Sequence, residues 1–174
     1  MRSRSTACAA AGLLAVAVGV TGCSGATAEE AAPDTSAAGS SATAPTDEEV
    51  RALFDVWNAA LATKDAEQVT ALYAPDAVLL PTLDADVKDS PDEIEGYFED
   101  SFLPRSPRGV VTESHVDVID ADHAVNSGLY DFTVTDPGTG ATSVVPARFT
   151  FVYEQIDGEW LISVHHSSVQ PAGT

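Results

Sequence analysis

Apolar residues along the chain change period once, near residue 109. Before that point they recur at helical spacing. Val50, Leu53, Phe54, Trp57 and Leu61 form one apolar face, and Thr46-Asp-Glu-Glu49 ahead of them fits a capping box. Lys64 suits the negative end of this first helix. A second short helix is expected from Asp65, with Val69, Leu72 and Tyr73 inward and Ala74-Pro75-Asp76 as its stop. Ala77–Leu80 reads as a short strand and Leu83–Asp89 as a polar loop. Ser90-Pro91-Asp92-Glu93 starts a third helix, which buries Ile94, Tyr97, Phe98, Phe102 and Leu103 and ends at Pro104 and Pro107.

From Gly109 onward the period is two. Val110–Ile119, Ala124–Val134, Val144–Gln155 and Glu159–Gln170 read as four long strands. Asp120–His123 and Asp136–Gly140 supply turns, and Asp157-Gly158 is a strong two-residue hairpin signal. Helices first and an antiparallel meander second is the pattern of an α+β domain. Thr46–Pro171 has the length of one such domain.

The segment before the domain reads as an address. Arg2 and Arg4 precede an apolar run from Ala7 to Val20, too short to span a bilayer as a stable helix. Val20-Thr21-Gly22-Cys23 then resembles a bacterial lipobox, which implies removal of residues 1–22 and acylation of Cys23. An ordinary signal peptide would leave Cys23 incidental. Ser24–Pro45 is almost entirely Ala, Ser, Thr, Gly and Pro. It cannot bury enough surface to order itself, and as a flexible coil its ends sit roughly 25 Å apart. It is expected to tether the domain to the outer face of the cell membrane. Residues 172–174 are a short tail.

Cysteine and charge narrow the classes. Cys8 would be lost with the signal, leaving Cys23 alone, so no intramolecular disulfide forms. The mature chain keeps six basic against 27 acidic residues, a net charge of about −21. That argues against nucleic acid, whose binding needs basic contacts to phosphate. It also leaves the acyl group as the only expected hold on a membrane. No phosphate-cradling loop, dinucleotide fingerprint, catalytic serine elbow or metal-ligand spacing occurs, so no cofactor and no metal is expected. Asp84-Ala-Asp86-Val-Lys-Asp89 resembles a calcium loop only loosely, with Lys88 at the fifth position.

Three N-terminal helices, a short strand and four long strands fit a cone in which a curved antiparallel sheet wraps the long first helix and leaves a pocket inside. The residues carrying this likeness are Trp57-Asn58 through Asp65, Tyr73-Ala-Pro-Asp-Ala-Val-Leu-Leu-Pro81, Arg148-Phe-Thr-Phe-Val-Tyr153, Asp157-Gly-Glu-Trp160 and His165-His-Ser-Ser168. Over Glu48–Pro171 the chain resembles the nuclear transport factor 2-like superfamily. It is similar to bacterial SgcJ/EcaC-type and SnoaL-like proteins and to the association domain of calcium/calmodulin-dependent protein kinase II. The resemblance implies an oligomerising cone with a pocket, and implies no kinase activity. The eukaryotic association domain lines its pocket with arginines, and those positions fall here on Tyr130, Phe151 and Ser167. A carboxylate-binding pocket therefore does not carry over directly.

Candidate chemistry follows from strand parity. His165 and His166 are adjacent on a strand and point to opposite faces, so they cannot share one metal ion. Parity groups His165 with Ser167, and His166 with Trp160, Ile162, Val164 and Ser168. A pocket-facing His165 is a candidate acid/base or ligand contact, or else a structural histidine. Arg148 lies mid-strand and asks for a planar anion, either a ligand carboxylate or an aspartate such as Asp131. Tyr73, Tyr97 and Tyr130 are candidates to put hydroxyls into the cavity, or else aromatic core. The expected function is a lipid-anchored homodimer, paired through the open face of its sheet, whose pocket holds a small, partly apolar molecule. Two alternatives stand beside it: a SnoaL-like isomerase, cyclase or hydrolase using His165, and a pure oligomerisation module.

Overall fold

The computed structural model describes residues 43–172. The signal segment, Cys23 and most of the linker lie outside the described residues. Helix α1 spans Asp47–Thr63 and carries the expected capping box: the Thr46 side chain accepts from the Glu49 amide, and Glu49 accepts from the Thr46 amide at 2.7 Å. It buries Val50, Phe54, Trp57 and Leu61, and Lys64 closes it in a left-handed conformation, φ 60°. Asn58 fixes the helix to the sheet, donating to the Gly109 carbonyl at 2.9 Å and accepting from its amide at 3.0 Å.

Helix α2 covers Ala66–Thr70. Strand β1 runs Tyr73–Leu80, four residues earlier than the sequence pattern suggests. Ala74-Pro75-Asp76 therefore lies inside a strand and does not separate a helix from one. The edge position explains it. β1 pairs only with the last strand, and the register breaks between Tyr73 and Val78, where a proline without an N–H costs no ladder bond.

Helix α3, Pro91–Tyr97, is shorter than the apolar spacing predicts. It widens into a π-helical turn over Phe98–Phe102 and tightens to a 3-10 turn over Leu103–Arg105. Pro104 accounts for the change of pitch. In a continuing α-helix its ring would strike the Asp100 carbonyl. Ser106 then turns the chain at φ 47°.

The four long strands are β2 Arg108–Val118, β3 His123–Thr135, β4 Thr142–Ile156 and β5 Glu159–Val169. They form an antiparallel meander, and β1 joins it parallel to β5, giving the order β1-β5-β4-β3-β2. The sheet is unclosed and curves around α1. Asp157 and Gly158 take φ 54° and 88°, the primed turn that the hairpin signal requires. Ala124, Tyr130, Phe132, Phe149, Phe151 and Tyr153 point inward and pack with Phe54, Trp57 and Phe98. Trp57 meets Phe151 edge-on at 5.3 Å between ring centroids.

One irregularity in β5 bears on the site. Val152 faces Val164 while Tyr153 faces Ile162, so Ser163 is an extra residue in the ladder. This bulge inverts parity along the strand. Ile162 and His165 are both buried on the inner side, although simple alternation separates them.

Candidate functional site

His165 sits in the wall of the core, 3% exposed. Its Nδ1 lies 2.8 Å from the Tyr73 hydroxyl, and that hydroxyl also accepts from Trp57 Nε1 at 3.1 Å. The Tyr73 proton is thus free to donate to Nδ1, which places the imidazole proton on Nε2. The ring stacks on Phe151 at 4.1 Å and meets Trp57 edge-on at 5.2 Å. Nε2 is buried without a partner. Burial pushes the His165 pKa down to about 3, with the neighbouring His166 a lesser cause. The ring is therefore neutral throughout the physiological range. It lies inside the aromatic core, away from the cavity described below.

Burial also raises Tyr73 well above the ordinary phenol range, the Trp57 hydrogen bond opposing it. Tyr97 is raised by burial against a hydrogen bond from the Leu83 backbone. Tyr130 is raised by burial and donates to Ser167 Oγ. Ser167 Oγ is in turn 2.6 Å from Thr82 Oγ1. Three hydroxyl protons thus serve two hydrogen bonds, and one O–H, on Thr82 or Ser167, is left to donate elsewhere.

Thr82 and Ser167 form one side of a cavity of about 180 Å³ at the open end of the cone. Phe102, Phe132, Val134, Val145 and Ala147 give it apolar walls, and Arg105 and Ser143 stand at its rim. Of the tyrosines, none lines this cavity; Tyr130 supports it from behind through Ser167. Arg148 is placed differently from the sequence expectation. It points outward from β4, opposite Leu129 and Ser168, exposed and without an ion pair among the described residues. Asp131 does not pair with it. His166 shares that outer face and helps to line a shallow hollow with Arg148, Glu113, His115 and Ser168.

Sequence reasoning missed Arg105 and Thr82. Neither lies in an α-helix or a strand: Arg105 is in the 3-10 turn and Thr82 follows β1 by two residues, where strand parity and helical spacing say nothing about direction. The signal available was the scarcity of basic residues.

With the fold and the cavity in view, comparison with known proteins is informative. Residues 46–171 match the family described as the calcium/calmodulin dependent protein kinase II association domain. The chain belongs to that family. A solved structure from Xanthomonas campestris, assigned as a calcium/calmodulin dependent protein kinase II association domain, is 51% identical, covers 76% of this chain and 96% of its own, and superposes with a TM-score of 0.70. Two more distant structures share the cone alone. One is a hexachlorocyclohexane dehydrochlorinase, 14% identical, covering 70% of this chain and 83% of its own at a TM-score of 0.61. The other is a protein from Novosphingobium aromaticivorans assigned as a scytalone dehydratase, 9% identical, covering 71% and 83% at 0.63. No curated protein matches the chain. The association-domain match ends with the cone and takes in both the hydroxyl relay and the cavity.

Proposed function

We propose that this association-domain chain is a lipid-anchored, extracytoplasmic binding protein that holds a small, partly apolar molecule at the open end of its cone. The observation that carries this reading is the cavity of about 180 Å³, with its apolar walls and its unspent hydroxyl donor. A few placed polar groups among apolar walls is the usual composition of a ligand site. The Val20-Thr21-Gly22-Cys23 junction supports the anchor, and the linker supports the stand-off from the membrane.

The reading includes a homodimer paired through the outer face of the sheet. Two facts support it: the family's description as an association domain, and the half-buried Val125, Leu129, Val152 and Val164 on that face.

An enzyme using His165 as acid/base finds little support. The ring is sealed from the cavity, and its pKa near 3 leaves it a weak base. The dehydrochlorinase and dehydratase likeness is one of fold alone.

Native mass spectrometry of the detergent-extracted chain tests the proposal. The expected species is a dimer of diacylated chains that sheds a small molecule on activation. A ligand-free monomer under the same conditions would overturn both parts.

A further inference from the structure

From the hydroxyl relay behind this cavity we infer that its ligand is neutral, a single ring or short branched chain bearing one hydrogen-bond acceptor such as a ketone or ether oxygen, and that Thr82 and Ser167 select it by offering that oxygen their one unspent proton. The inference rests on the cavity being a binding site and names the chemistry of its occupant.

The relay runs in one direction. Tyr130 is buried, and its hydroxyl donates to Ser167 Oγ. Burial raises Tyr130 above the ordinary phenol range, against the Ser167 bond, so it keeps its proton. Ser167 Oγ and Thr82 Oγ1, 2.6 Å apart, own two protons and share one hydrogen bond. Whichever of the two donates within the pair, the proton of the other is left over. Both residues line the cavity, and neither oxygen has a further acceptor among the described residues. A donor left unmade among apolar walls costs free energy. Hydrogen bonds in a chain also polarise one another, so this last O–H is a stronger donor than a lone hydroxyl. The site therefore asks for an acceptor.

Charge excludes the alternatives. Among the described residues no Asp, Glu, His or Lys lines the cavity; its one charge is Arg105, half-buried at the rim. That charge is already engaged. The Asp136 carboxyl is held below the ordinary range by the Thr139 amide first, then by the Thr139 hydroxyl and the Gly138 amide, and the Arg105 charge adds to them. Arg105 also donates from Nε to the Ser101 carbonyl at 3.2 Å. An anion would compete with Asp136 for Arg105, in a chain whose net charge is −19. A cation would meet Arg105 at the rim and find no carboxylate within. Burying either kind of charge without a partner is costly, and a neutral molecule avoids both costs.

The walls set the rest. Phe102 and Phe132, 5.4 Å apart between centroids, flank the apolar part. The volume of about 180 Å³ is below that of drug-sized pockets and suits a single ring or a short branched chain.

The test uses three probes of similar shape on the full mature chain. They are acetophenone, α-methylstyrene, in which a methylene replaces the carbonyl oxygen, and benzoate, in which the oxygens carry charge. Binding is read by titrating methyl NMR shifts at Val134 and Val145. Acetophenone is expected to shift both methyl sets and to bind at least about threefold more tightly than α-methylstyrene, the contribution of one neutral hydrogen bond. It should bind at least about tenfold more tightly than benzoate, which must bury a charge. Thr82→Val combined with Ser167→Ala removes both hydroxyls from the wall. Acetophenone should then lose its lead, with α-methylstyrene bound no more weakly than before. On the native chain, equal binding of acetophenone and α-methylstyrene would overturn the acceptor assignment, and benzoate bound as tightly as acetophenone would overturn neutrality. A folded double variant that keeps the native preference would overturn the roles of Thr82 and Ser167. In each of these cases the cavity stays a binding site. Failure of all three probes to move either methyl set would overturn the cavity reading as well.

Discussion

Tyr73 and His165, 92 residues apart in sequence, are joined by a 2.8 Å hydrogen bond that ties the edge strand β1 to β5 inside the core. Trp57 on α1 completes the link by donating to the same tyrosine oxygen. Three elements therefore meet at one buried hydroxyl. Tyr73→Phe removes it and leaves the Trp57 N–H and His165 Nδ1 without partners. Each buried polar group so orphaned costs about 1–3 kcal/mol. Urea unfolding should show a loss in that range or above it, whereas a loss under about 0.5 kcal/mol would mean that the link contributes little.

The same histidine sets an acid limit on stability. Its folded pKa, pushed down to about 3 by burial, lies far below the value of about 6.5 expected in the unfolded chain. Between those values the unfolded chain binds the extra proton. Stability is then fully present above about pH 6.5 and drains as pH falls, by up to about 1.4 kcal/mol per unit. His123 works with the opposite sign, since Asp120 raises its pKa, but it is exposed and its effect is screened. The lowered carboxylates, Asp65 and Asp136 among them, add their loss only at still lower pH. Unfolding curves from pH 7 to 4.5 should fall steadily in the native chain and flatten in His165→Phe. A native profile that is level over that window contradicts a buried neutral His165.

Much of this was legible in the chain. The change of period at Gly109 located the sheet, and Asp157-Gly158 located its hairpin, because binary pattern and turn chemistry are local properties. The bulge at Ser163 was not legible. It depends on how β5 must bend to pair with both β1 and β4, and it places Ile162 on the same side as His165. Pro75 misled for a related reason: only the position of β1 at the sheet edge makes a proline harmless there. His165, expected to face the pocket, lies buried in the aromatic core and does not line the cavity. Arg148 does not reach the cavity: it lies on the outer face of β4, between the inward Ala147 and Phe149. Arg105 escaped because a residue in a turn has no periodicity to orient it.

Gly128 offers a check on the third irregular register, in β2 between Val111 and Glu113. A Cβ there would lie 2.0 Å from the Glu113 carbonyl oxygen, which is backbone and cannot swing aside. Gly128→Ala should therefore destabilise the fold by about 3 kcal/mol, the upper end of overpacking costs. Gly96, where nothing lies within 4 Å, is the control, and Gly96→Ala should be neutral or slightly stabilising in its helix. Equal melting temperatures for the two variants would refute the close approach of β2 and β3.

The anchor is tested by Cys23→Ser. Loss of the acyl group should move the protein from the membrane pellet to the medium, since a net charge of −19 over the full sequence offers anionic lipid no attraction. Retention of Cys23→Ser in the pellet would mean that something other than lipid holds the protein there.

The proposed occupancy of the cone's open end by a small molecule is tested by a cavity-filling variant. Val134→Trp places a large ring in the cavity from its half-buried rim and spares the His165 core. Native mass spectrometry of both proteins from the same cells should show the native chain carrying a releasable small molecule and Val134→Trp carrying none, both in the same oligomeric state. Two ligand-free spectra, or the same bound mass on both proteins, would rule out a ligand in this cavity.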